Sequence, residues 1–148
     1  MEISIYTDGA CIGNPGPGGW AAIILTNNKK KELFGGERLT TNNRMELTAA
    51  IKALEYCSKQ EGEQPSLTSI KIYTDSTYVK EGITVWIKNW EKNNWKTKDK
   101  KNVKNVDLWK SLKELAKNNQ IEWNWVKGHS ENPMNELADQ LAKKATPM

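Results

Sequence analysis

The 148-residue sequence is 37% hydrophobic and 27% charged, a balance that fits one globular domain with a real core and excludes a disordered chain. No apolar run approaches the roughly 20 residues of a membrane span, and the start Met1-Glu2-Ile3-Ser4 lacks a basic region followed by an apolar segment, so a cytoplasmic chain with no membrane partner is expected. The net charge of +4 is concentrated: between Trp86 and Lys104 seven lysines face Glu91 and Asp99, a local +5 that leaves the rest of the chain at −1.

The first predicted strand, Glu2 to Asp8, ends in Ile3-Ser4-Ile5-Tyr6-Thr7-Asp8, a pattern that returns as Ile70-Lys71-Ile72-Tyr73-Thr74-Asp75. Strand side chains alternate faces, so Tyr6 and Asp8 share one face while Ile3, Ile5 and Thr7 take the other, and the second copy repeats this. Gly9 to Gly19 is turn-rich and reads as a stretch without regular structure; its glycines at 13, 16, 18 and 19 serve either tight turns or close backbone approach to a ligand. Strand 2 is predicted at Trp20 to Leu25 and a weaker strand 3 at Glu32 to Leu39, completing an antiparallel meander. From Asn43 the period becomes helical, with Met45, Ala49, Ala50, Ala53, Leu54 and Cys57 on one stripe. Cys11 and Cys57 are too far apart in character to suggest a disulfide or thiolate metal site, and reduced thiols are expected.

Strand 4 is the second hexapeptide, Ile70 to Asp75. Ile83, Trp86, Ile87 and Trp90 mark a short amphipathic helix that runs into the basic segment, where Trp86, Trp90 and Trp95 interleave with the lysines. Aromatic surface among lysines suits a nucleic-acid backbone and its sugars, against the plainer reading of a solvated face. Leu108, Leu112, Leu115 and Ala116 give another helix with Asn105 as its cap, strand 5 spans Ile121 to Val126, and after the loop Lys127 to Asn132 a last helix carries Leu137, Ala138, Leu141, Ala142 and Ala145.

Chain direction then locates a site. If strand 1 runs up, strands 2 and 3 run down and up, the long helix descends, and strand 4 runs up beside strand 1, about 4.8 Å away. Asp8 and Asp75 then end together at the top, where the long helix begins with Glu46 and where strand 5 delivers His129 and, in the last helix, Asp139. Open α/β sheets carry their sites at this edge. Each acid has a structural alternative: Asp75 as a helix cap, Glu46 in a capping box three residues after Asn43, Asp139 in an i,i+4 pair with Lys143, Asp8 as a turn residue. Their convergence favours a site, because gathered carboxylates repel one another unless cations intervene. Oxygen ligands with one histidine and no nearby cysteine suit Mg²⁺, with Mn²⁺ as a substitute, rather than zinc, and four acids suffice for two ions roughly 3.5–4 Å apart, the arrangement used in phosphodiester hydrolysis.

The segments Tyr6 to Gly19, Thr40 to Leu47, Thr74 to Ser76, Trp95 to Trp109, Trp125 to His129 and Asn135-Glu136 with Asp139 resemble bacterial type 1 ribonuclease H, in family order and over essentially the whole chain. The resemblance implies an α/β ribonuclease H-like fold, a five-stranded mixed sheet of three antiparallel strands followed by two parallel ones and flanked by helices, in a single domain of residues 1–148. It implies an endonuclease that hydrolyses the RNA strand of an RNA/DNA hybrid with two Mg²⁺, leaving 5′-phosphate and 3′-hydroxyl ends, and acting as a monomer. Asp8, Glu46, Asp75 and Asp139 match the metal-binding carboxylates, and His129 the histidine assigned to proton transfer or product release. Cys11, Asn14, Asn42 and Asn43 match minor-groove contacts, Thr41 and Asn105 a pocket for a DNA-strand phosphate. Trp86, Trp90, Trp95 and Lys96 fall in a basic protrusion at about 86–104. Three departures stand out: Thr77 where relatives commonly carry glutamine, Glu91 with Asn93-Asn94 in the protrusion, and Glu131 in place of a glycine after the histidine. A hybrid-binding protein without chemistry is disfavoured by the four acids, since a binder of polyanions gains nothing from clustered carboxylates.

Overall fold

The computed structural model describes residues 2–27, 29–60, 69–117, 120–126 and 132–147. Strands β1 (Glu2–Cys11), β2 (Gly16–Thr26), β3 (Lys29–Thr40), β4 (Ser69–Thr74) and β5 (Gln120–Trp125) form one sheet in the order β3-β2-β1-β4-β5. The first three pair antiparallel, whereas β4 joins β1 and β5 joins β4 in parallel, the mixed sheet expected from the sequence. Helix α1 (Asn42–Gln60) connects the antiparallel half to the parallel half. It is followed by α2 (Thr77–Glu81), a π-helical turn (Gly82–Trp86), α3 (Ile87–Lys92), α4 (Val106–Lys117) and α5 (Pro133–Ala145).

The two hexapeptides lie side by side in matching register, Tyr6 opposite Tyr73 and Thr7 opposite Thr74. Their tyrosine rings stack with centroids 4.6 Å apart. On the other face Ile3, Ile5, Ile70 and Ile72 are buried in one core cluster with Leu47, Ala50, Leu54 and Cys57 of α1 and Trp109 and Leu112 of α4. Period-two alternation in the strands thus meets a period-3.6 stripe in α1, and the common register carries both aspartates to one edge.

The turn-rich reading of Gly9 to Gly19 is corrected. β1 continues to Cys11 and β2 begins at Gly16, with Gly18 opposite Cys11 and Gly19 opposite Ala10, so only residues 12–15 form the turn. Tertiary packing overrides the weak strand propensity of glycine here. A β-carbon on Gly19 would stand 2.1 Å from the carbonyl oxygen of Ala142, so this glycine admits α5 rather than a ligand.

The helix expected around Ile83 begins earlier, at Thr77, and passes through the π-helical turn without interruption. Gly82 permits this: a β-carbon there would fall 2.0 Å from the ring of fully buried Trp109. Gly82→Ala is accordingly expected to cost about 1–3 kcal/mol through overpacking, read as a lowered urea midpoint with unchanged slope. An unchanged midpoint would mean that the ring yields freely. Beyond α3 the basic segment folds into a small hairpin in which Lys96 bridges Asn102 and the Val103 amide donates to the Trp95 carbonyl at 3.1 Å.

Candidate active site

The site begins with one glycine. Gly9 follows Asp8 on β1, and a β-carbon there would lie 2.5 Å from the Glu46 backbone nitrogen and 2.7 Å from the Met45 carbonyl carbon. The N-terminal part of α1 therefore rests directly on the strand backbone, which brings Glu46 beside Asp8. Thr41 caps that helix: its carbonyl accepts from the Met45 amide at 3.1 Å and its hydroxyl oxygen from the Arg44 amide at 3.2 Å. The capping-box reading of Glu46 with Asn43 thereby fails, because the helix starts one residue earlier and Glu46 lies beyond its first turn. Asp75 is relieved of capping in the same way, since the Ser76 hydroxyl accepts from the Val79 amide at 3.1 Å and caps α2.

Freed of those duties, Asp8, Glu46 and Asp75 each direct a carboxylate oxygen to one point, all within 4.8 Å of one another. Asp8 and Glu46 are each only 4% exposed. The Asp8 carboxylate accepts from the Gly9 amide at 2.9 Å, yet burial, a hydrogen bond shared with Asp139 and the charges of Asp75 and Asp139 push its pKa up to about 8. Burial, followed by the charges of Asp8 and Asp75, raises Glu46 well above the ordinary carboxyl range. One Glu46 oxygen, Oε1, is buried with no hydrogen-bond partner among the described residues. A buried, unsatisfied carboxylate oxygen among like charges is costly unless a cation completes it, and all-oxygen ligands fit a hard divalent ion.

Asp139, on α5, adjoins this group rather than entering its tightest part. It hydrogen-bonds with Asp8 and also pairs with Lys143 at 3.0 Å, so the i,i+4 reading and the site reading both hold for it. A cavity of about 390 Å³ opens over the acids, and Asn42, Asn43, Thr77 and Tyr78 contribute to its wall. Asn135, also in that wall, is buried with its side-chain oxygen unpartnered among the described residues. His129 and Glu131 lie outside the described residues.

Of the residues matched to nucleic-acid contacts, Asn42 and Asn43 line this cavity. The Asn14 side chain accepts from the Asn42 amide at 2.8 Å, tying the β1–β2 turn to the start of α1. The Cys11 thiol donates to the Thr40 carbonyl at 3.4 Å. Asn105 stands just before α4 with φ 60°, and its backbone carbonyl accepts from the Trp109 amide at 3.0 Å, as a cap residue's would. Its side-chain oxygen, however, accepts from Arg44 at 3.2 Å. Arg44 in turn grips Asp107 through two further bonds of 3.1 and 2.9 Å, which hold that carboxyl below its ordinary pKa.

The tryptophans of the protrusion are not the free aromatic surface the sequence suggested. Trp86, Trp90 and Trp95 are half-buried and linked by ring contacts of 5.8 and 6.2 Å, and Trp90 packs on Trp109 at 5.4 Å. Large apolar rings gain more by joining the core than by standing in water, so these residues first fasten the protrusion and leave only their edges to a ligand. Sequence patterning gave no role to Gly9, Arg44 or Tyr78. The glycine directly after Asp8 and the arginine in the first helical turn were the available signals.

The family model for RNase H matches residues 1–146 of the chain. Ribonuclease H of Bradyrhizobium diazoefficiens is 57% identical over 141 residues, covering 95% of this chain and 87% of that protein. Among solved structures, LC9-RNase H1, a type 1 RNase H with the type 2 active-site motif, superposes with a TM-score of 0.82 at 29% identity, covering 98% of this chain and 72% of that one. LC11-RNase H1 in complex with RNA/DNA hybrid shares the fold, with a TM-score of 0.73 at 22% identity over 97% of this chain and 96% of its own.

Proposed function

The chain belongs to the ribonuclease H family, and we propose that it acts as an endonuclease on the RNA strand of RNA/DNA hybrids, using two Mg²⁺ ions and leaving 5′-phosphate and 3′-hydroxyl ends. The observation that carries this reading is the convergence of Asp8, Glu46 and Asp75 on one point within 4.8 Å, with an unsatisfied Glu46 oxygen, at the floor of an open cavity. Two divalent ions held by Asp8, Glu46, Asp75 and Asp139 would supply activation of a water and stabilisation of the leaving oxygen. Manganese fits the same oxygen ligands.

The chain's own residues select and hold the substrate. Asn42 and Asn43 stand in the cavity wall, and Cys11 and Asn14 are tied to Thr40 and to Asn42 at the start of α1, so all four sit where a minor groove carrying 2′-hydroxyls can reach them. Thr41, whose hydroxyl oxygen caps α1, and Asn105 are assigned to a DNA-strand phosphate. The lysines of the protrusion, Lys96 among them, attract the backbone, and the exposed edges of Trp86, Trp90 and Trp95 meet its sugars. Thr77, exposed at the rim of the cavity, offers a shorter reach than a glutamine. His129 is assigned to moving protons, a task suited to imidazole near neutral pH. The family relationship supports the substrate class, as does the hybrid bound to LC11-RNase H1 on the same fold.

An end-labelled RNA/DNA hybrid, incubated with and without Mg²⁺ beside RNA/RNA and DNA/DNA duplexes, tests the reading. Cleavage of the hybrid's RNA strand alone, abolished by chelation, is expected. Equal cleavage of all three duplexes, or activity that survives chelation, would refute it.

A further inference from the structure

An asparagine can meet a phosphate with its amide N–H, which binds, or with its carbonyl oxygen, which repels, and the two differ only by half a turn of the amide. At Asn105 the surroundings decide between them. Arg44 Nη1 donates to Asn105 Oδ1 at 3.2 Å, and on the other side Asn105 Nδ2 donates to the Tyr78 hydroxyl at 3.1 Å. Tyr78 alone could not set the direction, because a hydroxyl both gives and accepts; its oxygen also accepts from the Trp109 indole at 3.0 Å. Arginine only donates. Turning the amide round would set N–H against N–H at Arg44.

We propose that Arg44, held by Asp107, is a positioning residue that fixes the Asn105 amide with a nitrogen turned toward the substrate, so that this residue binds a DNA-strand phosphate instead of repelling it. The inference rests on the hybrid-nuclease reading. One of the two Nδ2 hydrogens is engaged by Tyr78, and among the described residues the second is left for a ligand. Asp107 grips both terminal guanidinium nitrogens of Arg44, at 3.1 and 2.9 Å, and this planar fork fixes the direction of the third bond to Asn105. A lysine at position 44 would carry the same charge without that fixed geometry. The pair is substantially exposed, with side chains 33% and 62% accessible, so it contributes little to stability. Its geometry is better explained by orientation.

Steady-state kinetics on a labelled hybrid with Mg²⁺ test this with Arg44→Met, Asn105→Ala, the double variant and Arg44→Lys. Each of the first two is expected to raise KM about tenfold with kcat nearly unchanged. The double variant should be no worse than Asn105→Ala alone, because Arg44 acts only through Asn105. Arg44→Lys, still a pure donor, should recover part of the loss, and the salt dependence of KM in Arg44→Met should keep the wild-type slope. If Arg44→Met does not fold, Asp107→Asn carries the test with a severalfold rise in KM. Additive effects in the double variant, or a slope lowered by about one, would show that Arg44 itself contacts phosphate and would overturn the proposal. A fall in kcat alone would assign Arg44 to α1 and Glu46 and overturn it equally. Wild-type protein that fails to cleave the hybrid refutes the underlying reading, and this inference with it, whereas additivity with intact wild-type cleavage refutes the inference only.

Discussion

Asp8→Asn is expected to lower hybrid cleavage by about 10³-fold or more while making the metal-free protein harder to unfold. The first effect follows from removing a charged ligand from the centre of the carboxylate group, where on the proposed reading bound cations would supply several kcal/mol of transition-state stabilisation. The second follows from the Asp8 pKa, raised to about 8 from an ordinary 3.8 by burial, the hydrogen bond to Asp139 and the neighbouring charges. Between those two values the folded chain holds a proton that the unfolded chain has released, so wild-type stability falls as pH rises through this window and is lowest above about pH 8. Asparagine cannot ionise and escapes that penalty.

In chelator at pH 8 the variant should gain on the order of 1–3 kcal/mol, seen as a higher melting temperature. The gap should close as the pH falls below about 3, where Asp8 is protonated in both states. Added Mg²⁺ should raise the wild type toward the variant, because an ion that binds only the folded chain stabilises it by mass action. Parallel melting curves for the two proteins across this pH range would show that the acids are not in electrostatic conflict, and normal cleavage by the variant would remove Asp8 from catalysis.

Gly9→Ala is the second large effect, and it acts through a single methyl group. The new β-carbon would meet the backbone of Met45 and Glu46 at 2.5–2.7 Å, and backbone cannot rotate out of the way as a flexible side chain can. Either β1 bends or the start of α1 lifts. A stability loss of about 1–3 kcal/mol is expected. Because Glu46 rides on that part of α1, misplacing it by about 1 Å should cost about 10²-fold in kcat. Urea unfolding and hybrid kinetics read the two effects separately. Normal kcat with reduced stability would mean that Glu46 keeps its place while the strand yields.

Much of the site was readable because local chemistry repeats in local pattern. The two Ile-x-Ile-Tyr-Thr-Asp runs announced two strands of the same facing, and counting chain direction made them parallel neighbours; the structure pairs Tyr6 with Tyr73 and Thr7 with Thr74. The stripe from Met45 to Cys57 announced α1 and its start beside the strand ends. Failures came where a residue's role depends on something distant in sequence. Gly16 to Gly19 read as turn because glycine is a poor strand former, but α5 packs on Gly19 and the strand forms under it. Trp86, Trp90 and Trp95 read as free aromatic surface because they lie among lysines, but they are half-buried and Trp90 packs on Trp109, which leaves their nucleic-acid role untouched and changes only how much ring is exposed. Asn105 read as a cap, and its carbonyl behaves as one, but its side chain is directed by Arg44, 61 positions earlier in the chain.

Residue types and their spacing set which chemical groups are available and which edge of the sheet they reach, because side-chain periodicity and strand direction are local properties that accumulate along the chain. Packing in the folded chain sets how close Asp8, Glu46 and Asp75 come, which of them is relieved of capping, and which way the Asn105 amide faces. Those outcomes turn on contacts of a few ångströms between segments distant in sequence, where one missing β-carbon at Gly9 or one donor-only guanidinium at Arg44 outweighs any local preference.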